Sequence, residues 1–148
     1  MTTDLTTDLD AAIVDAEDAL SVLFSRVRLV YKTAAAQIHP ELQPMGYKIL
    51  SAIVRLGETS ASALAESLET DKAVVSRQVR VLEEAGLVIV RADDRDGRAR
   101  VLTASPAAIE RVRSARATQQ DRLREILRSR PEAEVRAFAD VLRVVAEG

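Results

Sequence analysis

Apolar residues near the start of the chain recur at steps of three and four. The stripe consists of Ile13, Ala16, Leu20, Leu23, Phe24, Val27, Tyr31, Ala34 and Ile38. This spacing predicts one amphipathic helix from Leu9 to Ile38, which ends before Pro40 because proline disfavours helical geometry in the residue that precedes it. Such a helix is about 45 Å long. One subunit of this size cannot cover the whole stripe, so the pattern predicts that part of it packs against another chain.

The next segment predicts three short helices. The first begins at Pro44 and ends before Gly57, because proline suits a first helical turn and glycine suits the position after a helix. A very short helix follows, with Ser62 as its predicted N-cap. After a tight turn, Asp71 is a good N-cap for a helix over residues 72–85. Two short helices joined this closely are typical of a helix-turn-helix.

A β-hairpin is predicted directly after these helices. The third helix stops at Gly86, and residues 87–91 have the composition of a short strand. A polar turn around Gly97 separates this strand from a second one over residues 99–103. A hairpin in this place is the wing of a winged helix.

Two more helices complete the chain. Ser105 and Pro106 begin a helix that extends to about Arg130, and Pro131 ends it. The last helix has apolar residues at Val135, Phe138, Ala139, Leu142, Val145 and Ala146. We therefore predict a mainly α protein with a small β-hairpin wing, in which a winged helix-turn-helix is flanked by long terminal dimerisation helices. Residues 1–148 would form one domain, with 9–39 and 105–147 as dimerisation helices and 44–104 as the DNA-binding region.

Composition narrows the classes of function. The 148 residues include 21 Lys and Arg, 23 Asp and Glu, one His and no Cys. Disulfides, thiolate catalysis and cysteine-based zinc sites are therefore excluded. Without a converging set of catalytic groups or a glycine-rich phosphate loop, we expect no enzyme activity, no metal and no cofactor. No secretory signal or membrane-spanning stretch is recognisable, and we expect a cytoplasmic protein.

Charge is unevenly distributed along the chain, although the net charge is only −2. Residues 1–20 contain six acidic groups and no basic one, whereas residues 105–130 contain seven basic and three acidic groups. Some of the latter cations could face DNA, but a solvated helix face explains them as well.

The helix over residues 72–85 has an apolar and a basic face. Val75, Val79 and Leu82 share one face, and Ala73, Arg77 and Arg80 lie opposite. The candidate DNA-binding residues of this helix are Lys72, Ala73, Val74, Ser76, Arg77 and Arg80. Arginine can donate two hydrogen bonds to guanine, so Arg77 is the candidate base reader. Lys72 and Arg80 lie at the margins, where phosphate contacts are expected.

The hairpin adds Arg95 and Arg98 near its tip, and these cations suit a narrow minor groove. Each surface arginine alone could equally be a solvated side chain. The alternative for the whole arrangement is a winged-helix module that binds another protein without specific DNA binding. Such a module would tolerate loss of Arg77 and Arg95, and a DNA binder would not.

Three consecutive motifs carry a family resemblance. The sequence LAESL at 64–68, DKAVVSRQV at 71–79 and LEEAGLV at 82–88 resembles the helix-turn-helix of the MarR (multiple antibiotic resistance regulator) family of bacterial transcription factors. Asp96-Gly97-Arg98-Ala99 is similar to that family's wing motif. The resemblance implies that Asp96 and Arg98 form a structural pair, that Arg95 is the wing tip, and that the terminal helices form a homodimer on a palindromic operator in double-stranded DNA.

The junction of the first and second helices is the candidate effector pocket. Its residues would be Tyr31, Ala35, Ile38, Met45 and Tyr47, and few acidic groups lie nearby. These features favour a neutral or anionic aromatic ligand, although both tyrosines could instead be core or interface residues. The resemblance thus implies a dimeric, sequence-specific transcriptional regulator, and we expect a repressor that a small aromatic ligand releases. Neither the operator nor the effector is evident from the sequence, which also leaves activation open.

Overall fold

The computed structural model describes residues 2–148, with side chains from residue 7 onward. Over that range the chain forms six helices and three short strands. In order they are α1 (Thr2–Ile38), α2 (Pro44–Leu56), β1 (Glu58–Thr59), α3 (Ala61–Ser67), α4 (Lys72–Glu84), β2 (Val88–Ala92), β3 (Arg100–Ala104), α5 (Pro106–Arg128) and α6 (Glu132–Glu147). The predicted fold class, mainly α with a small β wing, is confirmed.

The chain divides into two compact units between Ile109 and Glu110. The first unit contains α1 to β3, and the second contains most of α5 and all of α6. The single domain predicted over residues 1–148 stays a prediction, and its first residue, Met1, lies outside the described residues.

The core of the first unit lies beneath α2, α3 and α4. Its largest fully buried side chains are Ile49, Leu50, Ile53, Leu64, Val75, Leu82 and Leu87. Leu102 of β3 is also buried, so the sheet closes one side of this core. The last turns of α1 pack on α2 through the buried residues Ala34, Ala35 and Ile38. The contacts of α4 with α2 and α3 fix it to the rest of the unit.

The start of α3 corrects one detail of the sequence analysis. The Oγ of Ser60 accepts a hydrogen bond from Ala63 N at 3.2 Å, so Ser60 is the N-cap and not Ser62. The reason is that Glu58 and Thr59 pair with β3 as strand β1, which leaves Ser60 as the first residue free to cap. A two-residue strand has no periodicity, so it was not predicted from the sequence.

Both helices of the helix-turn-helix end in the same hydrogen-bond pattern, a Schellman motif. After α4, Gly86 N donates to Glu83 O and Leu87 N donates to Leu82 O, with Gly86 at φ 72°. After α3, the corresponding left-handed position is Glu69, at φ 50°. A side chain is unfavourable in that conformation, so the turn between α3 and α4 is a strained position.

The strands form one antiparallel sheet in the order β1-β3-β2. In the β2-β3 hairpin, Val88 faces Ala104 and Ala92 faces Arg100. Each hairpin strand begins one residue later than the sequence predicted. Leu102 lies on the buried side of β3 and pairs with both Thr59 and Val90. The central strand of the wing is therefore connected to the segments that precede and follow the helix-turn-helix.

Much of α1 has an uncovered apolar surface. The helix begins at Thr2, seven residues earlier than predicted, and Phe24 is 58% exposed. The exposed apolar residues of α1 are Leu9, Ile13, Val14, Val22, Leu23, Phe24, Val27, Leu29 and Val30. Only the C-terminal end of its stripe is buried within the subunit.

In the second unit, α6 has no buried residue. Its exposed apolar side chains are Phe138, Val141, Leu142, Val144 and Val145. In α5, Leu123 and Ile126 are exposed as well. Across the described residues, no helix is both long and apolar enough to cross a membrane.

Candidate nucleic-acid interface

Helix α4 has one buried and one solvent-exposed face, as its sequence predicted. Val75, Val79 and Leu82 are buried, which fixes the rotation of the helix about its axis. The opposite face exposes Lys72, Ala73, Ser76, Arg77 and Arg80, and Val74 is half-buried at its edge. Five of the six candidate residues on α4 are therefore exposed.

The cations of this face have no acidic partner. In residues 7–148, no carboxylate forms an ion pair with Lys72, Arg77 or Arg80. Asp71 occupies the N-cap position, but its side chain makes no capping hydrogen bond. The exposed face of α4 is thus small, basic and able to enter a groove, which is the geometry of a recognition helix.

The tip of the wing is organised by aspartate side chains that accept hydrogen bonds from the backbone. Asp93 Oδ1 accepts from Arg95 N at 3.0 Å, and Asp96 Oδ1 accepts from Arg98 N at 3.1 Å. Asp96 and Arg98 are therefore paired, but through the backbone N–H and not through the guanidinium. The side chains of Arg95 and Arg98 are exposed at the tip. Neither has an ion-pair partner among the described residues.

The sheet of the wing contains an ion pair that was not predicted from the sequence. Arg91 Nη2 of β2 donates to Glu58 Oε1 of β1 at 2.8 Å, and Asp94 lies 3.9 Å from Arg91 Nη1. The hydrogen bond and the charge of Glu58 raise the pKa of Arg91 above its ordinary value. The pair bridges the two outer strands of the sheet. No local signal connects Glu58 with Arg91, because β1 is too short to recognise and the two residues are 33 positions apart.

The candidate effector residues come together where α1 meets α2. The rings of Tyr31 and Tyr47 are 5.6 Å apart between centroids and tilted by 53°. Ala35, Ile38 and Tyr47 are buried, with Tyr47 only 2% exposed, whereas Tyr31 and Met45 are half-buried. Only the outer edge of this cluster is accessible within one subunit.

A cation borders the tyrosine pair. Lys48 Nζ lies 5.3 Å from the centroid of the Tyr31 ring, a cation–π arrangement. Lys48 is not among the residues predicted for this site, although its position one residue after Tyr47 could have suggested it. Lys48 therefore places a positive charge at the accessible edge of the tyrosine pair.

These features define a winged helix-turn-helix protein with an exposed basic recognition helix. The sequence of residues 42–99 matches the model of the MarR family. The resemblance to this family is thereby confirmed, and the matched segment is a MarR-family winged helix. The family comprises transcription regulators, so the expectation that the protein is not an enzyme is also confirmed. No curated protein matches the sequence.

Solved structures of related fold cover almost the whole chain. The YusO protein of Bacillus subtilis is 18% identical, with a TM-score of 0.75, over 94% of this chain and 97% of its own. FabT of Streptococcus pneumoniae, solved in complex with DNA, is 13% identical, with a TM-score of 0.81, over 90% and 94%. The MarR family transcription regulator SP03579 is 16% identical, with a TM-score of 0.80, over 95% and 92%. The protein therefore has the fold of MarR-family transcription regulators.

Proposed function

We propose that this protein is a homodimeric, sequence-specific DNA-binding regulator of transcription. The observation that carries the proposal is the exposed, unpaired basic face of α4, whose opposite face is buried in the core. The N-terminal half of such a helix can present Ala73, Val74, Ser76 and Arg77 to base edges in a major groove. The fold of FabT, a protein solved in complex with DNA, supports this reading.

The dimer is inferred from the uncovered apolar faces of α1 and α6. Soluble monomers rarely expose contiguous apolar surface on this scale, and a second copy would cover it. Two-fold symmetry would place the two recognition helices about 34 Å apart, in successive major grooves on one side of the duplex. The operator is then expected to be palindromic.

The DNA-binding proposal is tested by selecting bound duplexes from a random DNA library and measuring isotherms over a salt series. We expect Arg77→Ala to weaken binding to the selected duplex by about 1–3 kcal/mol per half-site and to relax its sequence preference, because a base contact is lost. Lys72→Ala is the matched control for charge. It should weaken selected and scrambled duplexes alike and reduce the slope of log K against log salt by about one unit.

The same measurements distinguish DNA binding from the alternative function, which is binding to another protein only. A winged-helix module that binds only protein would give no enriched duplex, and its affinity for DNA would be unchanged by Arg77→Ala and by Arg95→Ala. Equal losses on selected and scrambled DNA for Arg77→Ala would contradict its role as a base reader. Arg95→Ala should mainly weaken duplexes with a narrow A/T-rich minor groove next to the half-sites.

We further propose that the regulator is a repressor that a small aromatic anion releases from DNA. The supporting observations are the Tyr31–Tyr47 pair and Lys48 at its accessible edge. A ligand releases DNA only if it binds better to a dimer whose recognition helices are wrongly placed. A hundredfold loss of DNA affinity requires a coupling free energy of about 2.7 kcal/mol.

Reciprocity provides the test of release. Salicylate is titrated with and without the selected duplex, and DNA must weaken salicylate binding by the factor by which salicylate weakens DNA binding. Neutral salicylamide is the matched ligand, and Lys48→Met should weaken salicylate more than salicylamide. Binding that leaves DNA affinity unchanged, or that Tyr31→Ala does not affect, would contradict the effector proposal and leave DNA binding intact.

A further inference from the structure

Gly46 lies in the first turn of α2, next to Gln78 of the recognition helix α4. A Cβ at this position would overlap Leu42 Cδ1 and would lie 2.6 Å from Gln78 Oε1 of α4. Gly46 has an ordinary helical conformation, so its backbone does not require glycine. Glycine inside a helix is unfavourable for the helix itself. The side chains of Leu42 and of Gln78 on α4 therefore occupy the space that a side chain would need here.

Gln78 is the residue of α4 that meets this gap. Its Oε1 is buried and has no hydrogen-bond partner, an arrangement that destabilises a folded protein. The residue follows Arg77 directly and lies at the border between the buried and exposed faces of α4. Gln78 therefore contributes the length of its side chain to the contact with α2, and not a hydrogen bond.

The first turns of α2 thus contact two different helices. Tyr47 packs on Tyr31 of α1, and its neighbour Gly46 meets Gln78 of α4. Because α2 is anchored by the fully buried Ile49, Leu50 and Ile53, it forms a fixed support for α4. A methyl group added at position 46 must displace the side-chain ends of Leu42 and Gln78, since packed interiors have little free volume.

We propose that Gly46 and Gln78 are a positioning pair that sets the separation between α2 and α4, and thereby places Arg77 and Ser76 for base reading. The inference rests on the proposed DNA-binding function. Neither residue contacts DNA in this proposal. Each acts by fitting the other, as a small residue opposite a long one.

The experiment measures the ratio of affinities for the selected and the scrambled duplex, using full-length protein well below the melting midpoint of every variant. Loss of folded protein lowers both affinities equally and leaves this ratio unchanged, whereas a misplaced recognition helix lowers the ratio. We expect Gly46→Ala to lower it about tenfold, the effect of losing one good base contact. Gln78→Ala should lower it several-fold through the vacated space.

Two further variants test the fit directly. Gln78→Met retains the length of the side chain and should keep the wild-type ratio, while Gln120→Met on the exposed surface of α5 is the control for the substitution itself. In Gly46→Ala/Gln78→Ala the added methyl group still meets Leu42 but no longer meets the side chain of residue 78 on α4, so its ratio should exceed that of either single variant. Such non-additivity is expected only of residues in contact.

The outcomes separate the two proposals. Wild-type protein that enriches no duplex contradicts the DNA-binding function and the positioning pair together. An enriched duplex with an unchanged ratio in Gly46→Ala, or with additive effects in the double variant, contradicts the positioning pair alone. If Gly46→Ala does not fold, the contrast between Gln78→Ala and Gln78→Met decides, and equal ratios for those two overturn the proposal.

Discussion

The winged-helix region and the terminal helix α6 differ in how their apolar residues are used. In α2, six of thirteen residues are buried, and Ile49, Leu50 and Ile53 are inaccessible to solvent. Helix α6 has an equally regular apolar stripe, yet none of its residues is buried and Val144 is 71% exposed. Regular periodicity therefore shows that a helix is amphipathic, but it does not show which chain covers it.

The same contrast occurs within α1. Its last turns are buried against α2, whereas the apolar residues from Leu9 to Val30 are exposed, apart from the half-buried Leu20. A winged helix with its own core can keep its structure in a single subunit. In the proposed homodimer a second copy would cover the exposed stretches of α1 and α6, which would then contribute to stability.

The largest expected effect comes from the core of the winged helix. Leu50→Ala removes a fully buried side chain and should lower the free energy of unfolding by about 2–5 kcal/mol, because transfer and cavity terms add. Leu142→Ala on α6 is the matched substitution at a position that is 43% exposed. Its cost should be much smaller when urea unfolding is measured below the dissociation constant of the dimer. Equal losses of unfolding free energy in the two variants under that condition would contradict the contrast between the two regions.

A second experiment introduces a charge into the exposed stripe of α1. Phe24→Glu should weaken the proposed homodimer about a hundredfold or more, because a buried aromatic contact is replaced by an unpaired carboxylate in both copies. The helical content of the monomer should stay close to that of the wild type. Sedimentation equilibrium measures the first effect and circular dichroism the second.

The control for this variant is Thr33→Glu, which places the same charge on the opposite, exposed face of α1. It should leave the dimer intact. Equal dissociation by both variants, or none by Phe24→Glu, would mean that the stripe of α1 is not the dimer surface.

The smallest expected effect concerns the two helix ends within the winged helix. Glu69→Gly should raise the free energy of unfolding by about 0.5–1 kcal/mol, because relief of the left-handed strain exceeds the added entropy of the unfolded chain. Gly86→Ala introduces the opposite change at the equivalent position and should lower stability by about 1 kcal/mol. Thermal unfolding checks both values, and a loss of stability in Glu69→Gly would show that the turn is not strained.

Elements with long periodic patterns were predictable from the sequence. The spacing of Val75, Val79 and Leu82 indicated which face of α4 is buried, and Gly86 marked the end of that helix. In both cases the signal is local, since residues three or four positions apart share a helix face. The buried face of α4 and the position of its end therefore did not depend on distant parts of the chain.

Features that depend on non-local contacts were not predictable. Strand β1 exists because Glu58 and Thr59 pair with β3, and this pairing moved the N-cap of α3 from Ser62 to Ser60. Gly46 has no special conformation, and only the lack of space for a Cβ beside Leu42 and Gln78 points to its proposed role. The left-handed Glu69 was missed because a glycine is the usual signal at that position.

The pairing of β1 with β3 also has a mechanical consequence. It ties residue 58 to residue 103, so the segment that contains the recognition helix and the wing is a ring closed by backbone hydrogen bonds. A force applied to the residues before β1 and after β3 acts first on the hydrogen bonds between these two strands. It reaches the turn at Glu69 only afterwards. Force between the ends of the ring is therefore carried by the sheet, and α4 stays in register with the wing until β1 separates from β3.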